Sequence, residues 1–136
     1  MLPSWLMGVV LVVDDDFDLL AVLSDTLTEV GWKVLVASSA SAAVRAARSG
    51  RVDVVLTDLM MPFGDGQTLE RAFRDDPVLK DVPFVFMSGA TTYFRELRDA
   101  RVLVKPFTTD EVVVMLKSCL PRDVADDDRR TIKTAV

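Results

Sequence analysis

VDVVLTDLMMPFGDG, residues 52–66, holds an apolar run, a carboxylate and a turn-rich loop in that order. Val52, Val54, Val55 and Leu56 are β-branched or aliphatic and nearly continuous. That pattern predicts a strand buried on both faces rather than one alternating between core and water. The run stops at Asp58, where such a strand would emerge from its sheet. Met60, Met61 and Pro62 open a loop containing Gly64, Asp65 and Gly66, residues that a central strand or helix would not tolerate together. In open parallel α/β sheets, ligands collect at the carboxyl ends of the strands. Asp58 is therefore the first candidate for a working residue.

The chain has 136 residues, half of them hydrophobic, which suits one domain with a sizeable core. A formal net charge of -5 argues against a nucleic-acid-binding surface on this chain. Histidine is absent from the sequence, so no imidazole can act here as metal ligand, general base or phosphorylated nucleophile. The single cysteine, Cys119, excludes an internal disulfide and a cysteine metal cluster, and its helical apolar setting predicts buried packing. Such cysteine usage is compatible with a reducing, cytoplasmic setting. The apolar or Gly run Trp5 to Val13 is too short to span a bilayer, which needs about 20 residues. It also lacks the basic flank and cleavage site of a signal peptide. Neither export nor membrane insertion is expected.

Outward from the opening stretch, the same alternation of buried strands and helical segments repeats. Gly8 to Val13 reads as the first strand, followed at once by Asp14, Asp15 and Asp16. Leu19, Leu20, Leu23, Leu27 and Val30 then recur at helical spacing over about Phe17 to Val30, and Gly31 stands where a left-handed helix-ending residue belongs. Lys33 to Ala37 is the second strand. Ser38, Ser39 and Ser41 offer capping oxygens to an alanine-rich helix that ends at Ser49-Gly50. A short third helix is predicted over Gln67 to Arg74, a fourth strand over Pro83 to Ser88, and weak helical turns over Thr92 to Arg98. Val102 to Val104 is a short fifth strand, and Lys105-Pro106 ends it. Thr108 and Glu111 fit a capping box for a last helix with Val112, Met115, Leu116, Cys119 and Leu120 on its apolar face. Residues 1–7 read as a leader, 8–120 as the domain, and 121–136 as a charged tail or linker. The whole predicts an α/β, flavodoxin-like, doubly wound five-stranded parallel sheet of order 2-1-3-4-5, with a reduced fourth helix.

That order brings Asp14, Asp15 and Asp58 into one crevice, with Ser88 and Lys105 at neighbouring strand ends. Clustered carboxylates repel unless a cation joins them. A hard divalent ion on oxygen ligands, Mg²⁺ or Mn²⁺ in its place, satisfies such a site and leaves an open position for a phosphate oxygen. Lys105 adds a point charge and Ser88 a hydroxyl, both suited to a phosphoryl group.

Over roughly residues 8–120 the sequence resembles the receiver domain of bacterial response regulators. The resemblance rests on Asp14-Asp15 after LVV, Asp58 with its following MMP and DG, Ser88-Gly89-Ala90, and Lys105-Pro106-Phe107. It implies phosphorylation on Asp58 by a partner histidine kinase or histidine phosphotransfer protein, with Mg²⁺ required. By position in the family, Asp15 and Asp58 would ligate the metal with the Met60 backbone carbonyl, and Asp14 would act through water. Ser88, Gly89 and Lys105 would hold the phosphoryl group, and the Lys105-Pro106 bond is often cis. The product would be an altered affinity for a partner, including a second copy of the chain, rather than a turnover reaction. Asp16 falls at a variable position, and Asp16 and Asp18 read as solvated first-turn acids. Met60-Met61 reads as ordinary packing and loop filling.

Three residues before Lys105 the family usually carries an aromatic ring, and here the residue is Val102. The segment from Ser88 to Lys105 is also shorter than usual. Met60 and Ala90, at positions that tune phosphate loss, cannot orient an attacking water, which implies a long-lived phosphoaspartate. Two other readings compete with this one. Asp14-Asp15-Asp16 after a strand matches the nucleophile-x-acid pattern of haloacid-dehalogenase-type phosphatases, but no further acidic motif near the end supports it. A phosphorylation-independent binding module on the same fold is the other.

Overall fold

The computed structural model describes residues 5–61, 66–89 and 101–121. Five strands form one parallel sheet: β1 Gly8–Val13, β2 Trp32–Ala37, β3 Val54–Asp58, β4 Phe84–Ser88 and β5 Arg101–Val104. Their order is β2-β1-β3-β4-β5, the doubly wound plan expected from the sequence. The described helices are α1 Phe17–Val30, α2 Ala40–Ser49, α3 Gly66–Arg74 and α4 Thr109–Ser118, the last being the helix that follows β5. The weak segment Thr92 to Arg98, Ala90, residues 1–4 and most of the tail lie outside the described residues.

The continuous apolar strands have a direct cause in the two layers. Alternate residues of β1 serve opposite cores: Val10 and Val12 join Leu20, Leu23, Leu27, Val112 and Leu116 beneath α1 and α4. Leu11 and Val13 join Ala43, Ala47, Leu69 and Phe73 beneath α2 and α3. Neither face of β1 meets water, so no polar residue interrupts it. β2 lies at the sheet edge, and its middle residues are accordingly only partly covered.

Local signals set the helix ends. Gly31 takes φ +114° and its N–H bonds to the Leu27 and Thr28 carbonyls, closing α1 in the left-handed form that glycine adopts without strain. Ser39 caps α2, and Thr108 with Glu111 completes the capping box of α4. Asp16 is a correction: it is the N-cap of α1, its carboxylate accepting from the Asp18 and Leu19 N–H groups, not a first-turn acid. Burial pushes the Cys119 thiol above its usual range, consistent with a packing role.

Strand boundaries moved by a residue or two where ladder bonds, not hydrophobicity, decide them. β2 gains Trp32 through its pairing with Gly8, and β5 gains Arg101 opposite Val85. Val52 drops out of β3, because Asp53 bends there and its carboxylate accepts from the Val9 N–H at 2.8 Å. Pro83 lies just before β4, its carbonyl accepting from Val55. No described helix is long and apolar enough to cross a membrane.

Candidate functional site

Because β1 and β3 are neighbours in register, their ends put carboxylates side by side. Val13 pairs with Thr57, so Asp14 and Asp58 follow as adjacent exits from the sheet. The carboxylate oxygens of Asp14, Asp15 and Asp58 lie within 4.8 Å of one another. Asp14 is 1% exposed and Asp58 9%, while Asp15 stands open to solvent. One oxygen of each buried acid is engaged by nearby backbone: Asp14 Oδ1 accepts from the Asp16 N–H at 2.9 Å, and Asp58 Oδ1 from the Met60 N–H at 3.3 Å. The other oxygens face one cation. Lys105 Nζ lies 3.5 Å from Asp14 Oδ2 and 3.6 Å from Asp58 Oδ2, distances of charge attraction rather than of tight hydrogen bonds.

Lys105 reaches the site because its N–H donates to the Ser88 carbonyl at 2.9 Å, which carries β5's end alongside β4's. Ser88 is buried at 1% exposure on the same edge, and Gly89 follows it at the surface. The Lys105-Pro106 bond is cis. Val102 is half-buried, opposite Phe86 in the ladder, and packs on the α2–α3 side of the sheet. Met60 corrects the packing expectation: the residue is 56% exposed beside Asp58, and its neighbour Met61 is the one that packs on the core. Ala90 lies outside the described residues.

The Asp14 carboxyl is pushed above its usual range, chiefly by burial, although the Asp16 N–H and the Lys105 ammonium pull the other way. The folded protein therefore holds this proton more tightly than the unfolded chain does. Stability from Asp14 is full below the ordinary carboxylate range and is lost as pH rises through the higher folded value. Asp14→Asn is accordingly expected to melt above the wild type in ion-free buffer near neutral pH. The difference between the two melting temperatures should shrink as pH falls toward 4. A variant no more stable than wild type at pH 7 would show that Lys105 already offsets the cost of burial.

Three hard oxygen ligands around one point, two of them buried, form a donor set that fits a divalent cation such as Mg²⁺. Sequence reasoning found each of these side chains. It read Gly66 as a turn former and as part of the DG that follows Asp58; the structure makes Gly66 the first residue of α3, packed directly under Asp58. The glycine immediately before the helical pattern Gln67 to Arg74 was the available signal.

A doubly wound sheet with carboxylates at the β1 and β3 ends and a lysine from β5 defines a class of acidic-pocket α/β domain. The family model for the response regulator receiver domain matches residues 10–117, and the chain belongs to that family. Among its relatives, the transcriptional regulatory protein PrrA of Mycobacterium tuberculosis is 35% identical over 118 residues, covering 83% of this chain and 50% of PrrA. The chain thus spans about half the length of the curated relatives it matches. The chemotaxis response regulator CheY4 of Vibrio cholerae is similar in structure, with 29% identity and a TM-score of 0.76 over 84% of this chain and 99% of that one. The receiver domain of a sensor histidine kinase from Pseudomonas aeruginosa, with a magnesium ion coordinated in its active site cleft, aligns at 28% identity. Its TM-score is 0.73, over 81% of this chain and 94% of that domain.

Proposed function

We propose that this chain is a phosphorylation-dependent signalling switch that accepts a phosphoryl group on Asp58. The observation that carries the reading is the pairing of Asp58 with two further carboxylates within 4.8 Å and with Lys105 across from it. The donor is a phosphohistidine on a histidine kinase or histidine phosphotransfer protein. An Asp58 oxygen attacks phosphorus in line, the O–P bond forms, and the N–P bond to the donor imidazole breaks. Lys105 faces the transferring oxygens with its ammonium, so the chain supplies positioning and charge rather than covalent chemistry of its own. Asp15, Asp58 and the Met60 carbonyl would hold Mg²⁺, with Asp14 acting through water. When bound, the ion neutralises phosphoryl charge.

The product, an acyl phosphate carrying roughly -1.5 to -2 charges if it follows other phosphorylated side chains, sits beside Ser88 and Gly89. The Ser88 hydroxyl turning to a phosphoryl oxygen is the local event that biases the surface around β4, β5 and α4. Val102, in place of an aromatic ring, makes that bias depend on backbone and hydroxyl alone. The output is a change in protein–protein affinity, a homodimer among its candidates, in a cytoplasmic setting.

Incubation with acetyl phosphate and Mg²⁺, followed by intact-mass measurement, tests the reading. One phosphoryl adduct per chain, absent when the ion is chelated, is the expected result. With Met60 beside Asp58, the adduct should persist for minutes after the donor is removed. No adduct despite measurable Mg²⁺ binding would transfer the assignment to a receiver-like module that works without phosphorylation.

A further inference from the structure

Leu59 lies between Asp58 and Met60, and its two backbone groups are clamped from opposite sides. Its N–H donates to the Met87 carbonyl at 2.9 Å, and its carbonyl accepts from the Gly66 N–H at 3.1 Å. The first bond ties the strand end to β4, and the second ties it to the start of α3. Gly66 can make the second bond only because it has no side chain. A Cβ there would meet the Asp58 carbonyl oxygen at 2.7 Å, Thr57 Cγ2 at 3.1 Å and Phe86 Cδ1 at 3.1 Å.

These three contacts differ in what can yield. Thr57 and Phe86 are sheet residues at 0% and 1% exposure, in a core with no room for displacement. Leu69 and Phe73, on the same face of α3 as Gly66 and both fully buried, anchor the helix against the sheet. The 2.7 Å contact is with backbone, so it cannot be relieved by turning a side chain. What remains to move is the strand end from Asp58 to Met60, which starts at the last ladder pair, Asp58 with Met87. Gly66 takes no positive φ, and helix propensity by itself favours alanine over glycine there. Any loss on substitution therefore comes from the contacts with Asp58, Thr57 and Phe86, the Asp58 contact being the shortest, and not from backbone strain in the helix.

We propose that Gly66 is a positioning residue for the acceptor site. Its bare Cα sets the Asp58 main chain and the Leu59 carbonyl, and through them the Met60 carbonyl and the Asp58 carboxylate that a divalent cation would share. The inference rests on the functional reading above, and its effect falls first on cation binding. Residues that orient metal ligands without touching the metal typically alter affinity by about 10- to 100-fold when changed.

The experiment compares wild type, Gly66→Ala, and Gly66→Ala combined with Thr57→Ser, which removes one of the two side-chain contacts but leaves the contact with the Asp58 carbonyl. Mg²⁺ affinity is read by calorimetry, and Mn²⁺ affinity by electron paramagnetic resonance. Leu27→Ala, beneath α1 on the other face of the sheet, controls for destabilisation alone. Both Gly66 variants should bind Mg²⁺ about tenfold more weakly, need correspondingly more Mg²⁺ for acetyl phosphate labelling, and approach wild-type labelling when Mg²⁺ is saturating. Leu27→Ala, folded at the working temperature, should bind like wild type. Unchanged Mg²⁺ affinity in Gly66→Ala would overturn the proposal. So would failure of both Gly66 variants to fold, because Gly66 would then serve the fold and not the site. If wild type binds Mg²⁺ but takes no phosphoryl group, the functional reading fails, and the affinities still judge Gly66.

Discussion

Asp58→Asn is expected to take up no phosphoryl group from acetyl phosphate or from a phosphohistidine donor, at any Mg²⁺ concentration. The amide is nearly isosteric and can still accept from the Met60 N–H, so the fold and the loop backbone are retained. What disappears is the anionic oxygen that attacks phosphorus, and a neutral amide oxygen has no comparable nucleophilicity. Lys105 also loses its Asp58 carboxylate partner and, among the described residues, is left facing Asp14 at 3.5 Å. Intact mass checks the result directly, with circular dichroism verifying that the variant is folded. An adduct on the folded Asn variant would move the acceptor elsewhere, Asp15 being the exposed carboxylate within reach. A partial loss would mean two competing acceptors, which intact mass of the Asp15→Asn variant would separate.

Phe73→Ala is expected to be the most damaging core substitution on the α3 side, at about 3–5 kcal/mol. Phe73 is fully buried and meets Phe84 edge-to-face with ring centroids 5.1 Å apart. Phe84 in turn leans on Phe86 at 5.9 Å and carries the Arg74 guanidinium 5.4 Å from its ring centroid. Truncation removes the burial of a whole ring, leaves a cavity between α3 and the sheet, and forfeits an aromatic pair worth about 0.5–1.5 kcal/mol beyond area alone. Domains of this size are stable by only about 5–15 kcal/mol in total. Urea denaturation followed by Trp32 fluorescence, a buried reporter in the opposite core, measures the change. A loss below about 1 kcal/mol would show that α3 collapses onto β3 and β4 to fill the gap. Such a collapse would also press on the Gly66–Asp58 contact, so the same variant's Mg²⁺ affinity reports which occurred.

The site was legible because each of its side chains closes a strand, and strand ends stand out in a sequence where buried strands are unbroken apolar runs. Asp14, Ser88 and Lys105 follow such a run directly, and Asp58 follows one with only Thr57 between. Alternation of five runs with helical periods fixed the parallel plan, since parallel neighbours need covered crossovers and both sheet faces then become apolar. Asp16 was misread as a first-turn acid because composition places an acid near a helix start without saying whether it lies inside or just before the first turn. Only the backbone bonds to Asp18 and Leu19 decide that.

By itself, then, the sequence determined the doubly wound architecture, the acidic cluster and the lysine that answers it, because hydrophobic periodicity and strand-end chemistry are local patterns. Tertiary structure alone decided distances and fit. It set Lys105 between Asp14 and Asp58 at nearly equal reach, buried Asp14 deeply enough to raise its affinity for a proton, left Met60 exposed, and slid Gly66 beneath the Asp58 carbonyl. Those outcomes depend on how β1, β3, β5 and α3 pack against one another. Contacts between residues far apart in the chain leave no periodic trace along it.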